Sequence, residues 1–156
     1  MNQIQPDLEN IHFKIGLSGT YWDKKPQYEI LINNKKIVDG VIKNPQGETE
    51  FFEFSVDLDD DKTHILQIRL ANKTDYDVVK DSSDTENFNI VKDMLLNIDS
   101  ICIDDIDIAH LMWSESEFVG DDPNRPILKK CVNLGWNGTY VLEFTTPFYL
   151  WLLEKM

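Results

Sequence analysis

The feature that most constrains this chain is a period-two alternation of apolar and polar side chains, repeated in short segments along most of its length. In Ile11-His12-Phe13-Lys14-Ile15-Gly16-Leu17 the apolar side chains fall on one face of an extended strand. Residues 50–58 repeat the pattern, with Phe52, Phe54, Val56 and Leu58 on one side and Glu53, Ser55 and Asp57 on the other. Leu66, Ile68 and Leu70 alternate with Gln67 and Arg69. Residues 28–32 and 36–42 flank Asn33-Asn34, a dipeptide that tolerates the positive φ of a tight hairpin. The polar run Asp59-Asp60-Asp61-Lys62-Thr63 reads as the turn joining the second of these segments to the strand that His64 begins. Short strands and turn signals at this spacing predict an all-β fold, an antiparallel β-sandwich.

The rhythm breaks at residues 73–89, which hold Asp75, Asp77, Asp81, Asp84 and Glu86 among few apolar residues and are expected to form a long surface loop. Alternation returns at Met94, Leu96 and Ile98 and runs on through Ile101 and Ile103 to Ile108. A second irregular loop, residues 120–126, precedes a last β region, with a turn at Trp136-Asn137-Gly138-Thr139 and a strand over 140–144. Residues 148–153 fit a strand and a short helical turn equally well. No repeat or linker divides the 156 residues, and that length suits one domain with its own core.

Charge narrows the partners. Fifteen Lys and Arg stand against 28 Asp and Glu, a net charge of −13, so a partner held by phosphate neutralisation is excluded, nucleic acid and anionic membrane alike. A carboxylate mimic of nucleic acid needs a continuous acidic face, whereas these acids gather in loops. Cys102 and Cys131 lie in hydrophobic stretches without a C-x-x-C unit, and free thiols are expected, a disulfide being the alternative. The opening ten residues, Met-Asn-Gln-Ile-Gln-Pro-Asp-Leu-Glu-Asn, have neither a basic nor an apolar signal region, which predicts synthesis in the cytoplasm. The longest apolar run, residues 148–153, is too short to span a bilayer.

Catalytic constellations fail one by one. Gly16-Leu17-Ser18-Gly19-Thr20 has Thr20 where a nucleophile elbow needs glycine. His12, His64 and His110 are scattered and read as surface or internally satisfied side chains. The run from Asp57 begins like an EF-hand loop, but Lys62 takes the glycine position and Ile68 the bidentate glutamate position. No glycine-rich phosphate cradle is present, and a non-enzyme is expected.

The acidic loop is the remaining candidate. Calcium takes six to eight oxygen ligands, and Asp75, Asp77, Asp81 and Asp84 offer such oxygens, with Asp93 opening the next strand. A hydrated, solvent-screened loop accounts for the same composition. Tyr21 and Trp22, in the loop over 19–26, are candidates for an exposed aromatic pair that stacks on a sugar, and Tyr76 in the acidic loop is a further ligand-binding candidate.

The run His64-Ile65-Leu66-Gln67-Ile68-Arg69-Leu70-Ala71-Asn72 resembles the H-x-L-x-I-x-F-x-N strand of calcium-dependent xylan-binding modules. After an acidic loop that family has a strand of the form D-R-N-L-x-V-D-x-I. Asp93-Met94-Leu95-Leu96-Asn97-Ile98-Asp99-Ser100-Ile101 matches it at Asp93, Leu96, Asp99 and Ile101. The segment Tyr28-Glu29-Ile30-Leu31-Ile32-Asn33-Asn34-Lys35 is similar to the family's upstream hairpin, and together the matches span residues 11–108. The resemblance implies a jelly-roll sandwich that binds Ca²⁺ and coordinates sugar hydroxyls through it. By position it makes Asp93 a ligand, with Asn72 and members of Asp75, Asp77 and Asp81 completing the set. Lys73 departs from the pattern, standing where the family commonly has aspartate, and Met94-Leu95 replace Arg-Asn.

Residues 109–156 lie outside the resemblance and are expected to complete the sandwich or dock a partner. Their Trp113, Trp136, Tyr140, Phe148, Tyr149 and Trp151 divide between core and surface, at least half going to the core. The whole chain is also similar to small proteins of marine tailed phages. The expected function is therefore a non-catalytic, calcium-dependent carbohydrate-binding module that serves phage adhesion, with a polysaccharide or glycan as partner. The alternative is a structural or decoration component of a virion, contacting other virion proteins.

Overall fold

The computed structural model describes residues 7–84 and 86–156; residues 1–6, which hold most of the stretch read for a signal peptide, and Thr85 of the acidic loop lie outside them. Among the described residues thirteen strands run in chain order: β1 (Leu8–Thr20), β2 (Gln27–Ile32), β3 (Lys35–Val41), β4 (Glu50–Asp59), β5 (Thr63–Leu70), β6 (Val79–Lys80), β7 (Ile90–Lys92), β8 (Leu95–Ile103), β9 (Ile106–Asp107), β10 (Ser116–Gly120), β11 (Leu128–Lys129), β12 (Asn133–Leu134) and β13 (Gly138–Thr145). Helix α1 (Ala109–Ser114) follows β9, and α2 (Phe148–Lys155) follows β13.

Two antiparallel sheets form the sandwich. One has the order β12-β8-β1-β4, with β9 added to β8, and the other runs β11-β10-β13-β5-β2-β3. Their inner faces meet through aromatic contacts: Phe13 of β1 lies 6.1 Å from Phe144 of β13, and Tyr28 of β2 lies 4.7 Å from Phe52 of β4, between ring centroids. The alternating side chains read from the sequence supply this interior. Ile11, Phe13, Ile15 and Leu17 are fully buried, as are Ile30, Leu66, Ile68 and Leu70. A buried aliphatic or Phe side chain contributes roughly 1.5–3 kcal/mol, and this repeated burial offsets the ordering of so many extended residues.

The turns behave as their residues require. Asn33 and Asn34 both take positive φ, 51° and 69°, closing the β2–β3 hairpin. The turn after β4 instead carries the chain from one sheet to the other, since β4 pairs with β1 while β5 pairs with β2 and β13. His64, buried just beyond that corner, pairs its ring nitrogens with the Asn33 side chain and the Asp59 carbonyl. His12 is half-buried and His110 exposed. In β8 the register passes from Gly16↔Ser100 to Leu17↔Ile98, so Asp99 is the extra residue of a β-bulge. That bulge shifts the buried phase from Leu96 and Ile98 to Ile101 and Ile103.

The C-terminal third sits inside the architecture. β13 pairs with β10 on one side and β5 on the other. Tyr140, Phe148 and Trp151 are buried, Trp136 is half-buried, and Trp113 and Tyr149 are exposed. Residues 148–155 form a helix, which settles the ambiguity of the pattern there. The Glu9 carboxylate accepts from the Phe148 backbone N–H at 3.2 Å, satisfying one free donor at the helix start. Helix α1 has no sequence signal of its own; its Met112 carbonyl accepts from the Ser116 and Tyr140 hydroxyls, which fixes its end.

Candidate functional site

The acidic segment is not a plain loop. Asp75–Asp77 form a 3-10 turn, and β6 and β7 pair as a small two-stranded hairpin standing off the sandwich. Between this hairpin and the loops that follow β10 and β12 lies a cleft of about 720 Å³, lined by Lys73, Asp75, Val78, Lys80, Phe88, Ile90, Asp93, Arg125, Gly135 and Trp136. A smaller space of about 280 Å³ adjoins it beside Thr74, Asp121, Asp122 and Asn137.

Side-chain clasps hold the walls in place. The Asn137 carbonyl oxygen accepts from the Lys73 backbone N–H at 2.8 Å, and its amide donates to the Lys73 carbonyl at 2.9 Å. Arg69 forks onto Asp121 with bonds of 2.9 and 2.7 Å, fixing the 120–126 loop to β5. At the floor, the Lys73 side chain is only 8% exposed and donates to the Asp93 carboxylate and the Gly135 carbonyl. Asp93 Oδ1 also accepts from the Met94 N–H at 2.7 Å.

Trp136 carries the far wall. Phe118 lies 5.5 Å from its ring and the Arg125 guanidinium 4.3 Å from it. Its indole Nε1 is buried without a hydrogen-bond partner among the described residues, at the place where a Cβ on Gly120 would fall 2.7 Å away. On the hairpin side Lys80 Nζ lies 4.3 Å from the centre of the Phe88 ring. Sequence reading missed this cation-on-aromatic arrangement, because Lys80 with Phe88 and Arg125 with Trp136 share neither a strand period nor a motif spacing.

The sequence-predicted metal residues are dispersed in their roles. Asp75 and Asp93 line the cleft. Asp77 is buried elsewhere in the turn, 1% exposed, where Lys24 Nζ approaches its carboxylate to 2.9 Å and the Thr74 N–H and hydroxyl also donate to it. Burial works to raise the Asp77 pKa, but Lys24 and the Thr74 donors outweigh it and hold the carboxyl below its ordinary value. Asp81 accepts from the Asn89 backbone and side chain, which lowers its pKa. Asn72 braces the 20–26 loop, accepting from the Gln27 N–H at 2.9 Å and donating to the Lys25 carbonyl at 3.0 Å. Among the described residues no three His, Cys, Asp or Glu side chains converge as a metal set. These donors do not fit calcium: an ammonium already occupies the Asp93 and Asp77 carboxylates, and the Asn72 oxygen is spent on backbone.

The predicted aromatic pair is also rearranged. Tyr21 and Trp22 are half-buried and point to different partners. The Tyr21 hydroxyl donates to the Asn44 carbonyl at 3.0 Å, while Trp22 donates from Nε1 to the Asp77 carbonyl and packs 5.4 Å from Tyr76. Tyr76 itself is exposed, and Lys92 lies over the Trp22 ring at 5.1 Å.

With strands and sheets together, the chain is an antiparallel β-sandwich whose fold is like that of a carbohydrate-binding module. It is similar in three dimensions to vCBM60 in complex with galactobiose, with a TM-score of 0.54 and 8% sequence identity over 84% of this chain and 96% of that one. No protein-family model matches the chain, and no curated protein matches its sequence.

Proposed function

We propose that the chain is a non-catalytic glycan-binding module whose ligand lies in the cleft between the β6–β7 hairpin and the loops after β10 and β12. One observation carries the reading: an open cleft of about 720 Å³ whose lining combines the apolar surfaces of Val78, Phe88, Ile90 and Trp136 with the polar groups of Lys73, Asp75, Lys80 and Arg125. A sugar ring offers the matching surface, with apolar C–H faces and a rim of hydroxyls that accept from ammonium and guanidinium groups and donate to carboxylates. The fold it shares with a galactobiose-bound carbohydrate-binding module supports the same reading. On this reading recognition runs through side-chain hydrogen bonds, since lysine ammonium groups already hold the Asp93 and Asp77 carboxylates. Phage adhesion is the biological setting we propose for such a module.

Affinity electrophoresis of the purified protein in gels containing single polysaccharides, with EDTA and then with Ca²⁺, tests this. Retardation by at least one glycan, lost in Trp136→Ala and unchanged by EDTA, is the expected result. Unretarded migration through a broad panel of neutral and charged glycans rejects the reading.

A second reading, a virion or other assembly component, is favoured by α2, which exposes Tyr149, Leu150 and Leu153 beside Met156. Concentration-dependent sedimentation that Leu150→Lys abolishes would select it; a monomer at all concentrations removes self-assembly through α2.

A further inference from the structure

The charge of the cleft runs against the charge of the molecule. In a chain of net −13, the larger cleft is lined by three cationic side chains, Lys73, Lys80 and Arg125, and only two carboxylates, Asp75 and Asp93. Lys73 and Asp93 neutralise one another. In the adjoining space Asp121 is taken by Arg69, and Asp122 accepts from the Asn124 backbone N–H. Lys80 and Arg125 make no ion pair among the described residues, although acidic residues outnumber basic ones almost two to one. Each is instead set on an aromatic ring at 4.3 Å, Lys80 on Phe88 in the hairpin segment and Arg125 on Trp136 in the loops after β10 and β12, and both line the same cleft.

We propose that Lys80 and Arg125 form an anion-selecting pair, so that the cleft takes an acidic glycan, with a uronic acid carboxylate between the two walls. This deepens the glycan-binding reading and rests on it. Stacking on an aromatic face restrains each cation while leaving its N–H groups free to donate. A planar guanidinium so held matches a carboxylate in two parallel hydrogen bonds, and the ammonium adds a point charge. The single unpaired carboxylate of the larger cleft, Asp75, is exposed and therefore well screened by water. It suits a sugar hydroxyl as donor. The overall negative field discriminates against polyanions at long range, so selectivity arises only where a carboxylate reaches both cations.

Calorimetric titration of the full chain with oligogalacturonate, its methyl ester and a sulfated galactan oligosaccharide tests the proposal. The methyl ester keeps the sugar rings and removes the charge. The acid is expected to bind about tenfold or more tighter than the ester, a difference of about 1.4 kcal/mol, and to weaken as salt is raised. Arg125→Gln and Lys80→Gln should each erase most of that preference, lowering affinity for the acid far more than for the ester, while leaving thermal unfolding unchanged. Tighter binding of the sulfated oligosaccharide than of the uronate would overturn the carboxylate assignment. Equal affinity for acid and ester, or a preference that survives both substitutions, overturns the anion-selecting pair but leaves glycan binding intact. If none of the three probes binds while a neutral glycan retards the protein in gels, the acidic specificity is wrong. If nothing binds in either experiment, both readings fall.

Discussion

Asn137 grips Lys73 through both backbone groups of the lysine, accepting its N–H at 2.8 Å and donating to its carbonyl at 2.9 Å across 64 residues of sequence. The asparagine thus acts as a short strand partner for an irregular segment and delivers the Lys73 side chain to the floor of the cleft. Asn137→Ala leaves both backbone groups half-buried and unpaired. It should cost about 1–3 kcal/mol in urea unfolding, with Asn137→Asp intermediate because only its acceptor remains. An unfolding curve for Asn137→Ala coincident with the parent would remove the clasp from the stability of the fold.

The Lys73–Asp93 pair predicts an asymmetry between single and double substitutions. Lys73→Met strands the Asp93 carboxylate and the Gly135 carbonyl, a loss expected at about 3 kcal/mol from the behaviour of buried pairs. Lys73→Met combined with Asp93→Asn should recover a large part of it, because the uncompensated charge is gone. Additive losses in the double variant, measured by chemical denaturation, would contradict this account.

Metal removal should change little. With an ammonium on Asp93 and another on Asp77, melting curves in EDTA and in millimolar Ca²⁺ are expected to coincide. A calcium-selective rise of several degrees, the scale produced by a ligand near 100 times its Kd, would show that the acidic segment rearranges around an ion.

Asp77 sets an acid limit. Its folded-state pKa lies below the ordinary value of 3.8, so its contribution is fully present above that value and is lost as pH falls through the lower folded one. Denaturant midpoints should therefore fall on acidification below about pH 4. Asp77→Asn should lower the midpoint at pH 7 and flatten that acid decline. A parent and variant with parallel profiles would exclude Asp77 as a source of the decline.

Two glycines separate stability from site geometry. A Cβ at Gly138 would meet the Val119 carbonyl oxygen at 2.5 Å and Gly120 Cα at 2.8 Å, both backbone atoms in a paired strand. Gly138→Ala should cost about 1–3 kcal/mol of stability. A Cβ at Gly120 meets the Trp136 indole instead, so Gly120→Ala should displace that ring and weaken glycan binding more than it lowers the melting temperature. Equal affinity in Gly120→Ala and the parent would show that the cleft does not depend on the seat of Trp136.

What the sequence discloses follows the range of the physics. The Asn33-Asn34 turn and the alternation of β1, β4 and β5 are local, so the residues that specify them are neighbours and can be read directly. The bulge at Asp99 is half-visible: the apolar phase moves from Ile98 to Ile101, and Asp99 Oδ2 accepts from the Thr49 hydroxyl at 2.8 Å, a partner 50 residues away. Helix α1 is six residues long, too short for a helical period to stand out from the strands around it. The acidic segment stands out in the sequence, and Asp75 within it and Asp93 beyond it line the cleft. Which carboxylates are free was not legible, because Lys24, Lys73 and Arg69 reach theirs from other parts of the chain. The same holds for Arg125, whose significance depends on a tryptophan brought beside it by β-sheet pairing.

The position of β13 between β10 and β5 has a consequence for synthesis. As the chain emerges from its N-terminal side, β5 can pair with β2 but keeps one open edge until residues 138–145 arrive. That strand carries Leu66, Ile68 and Leu70, so the growing chain holds an unprotected, aggregation-prone template through nearly half of its translation. Closure joins segments about 70 residues apart, which places folding among the slow, non-local topologies. Production of this protein should therefore respond more to conditions during its synthesis, such as temperature and chaperone supply, than the stability of its finished form suggests.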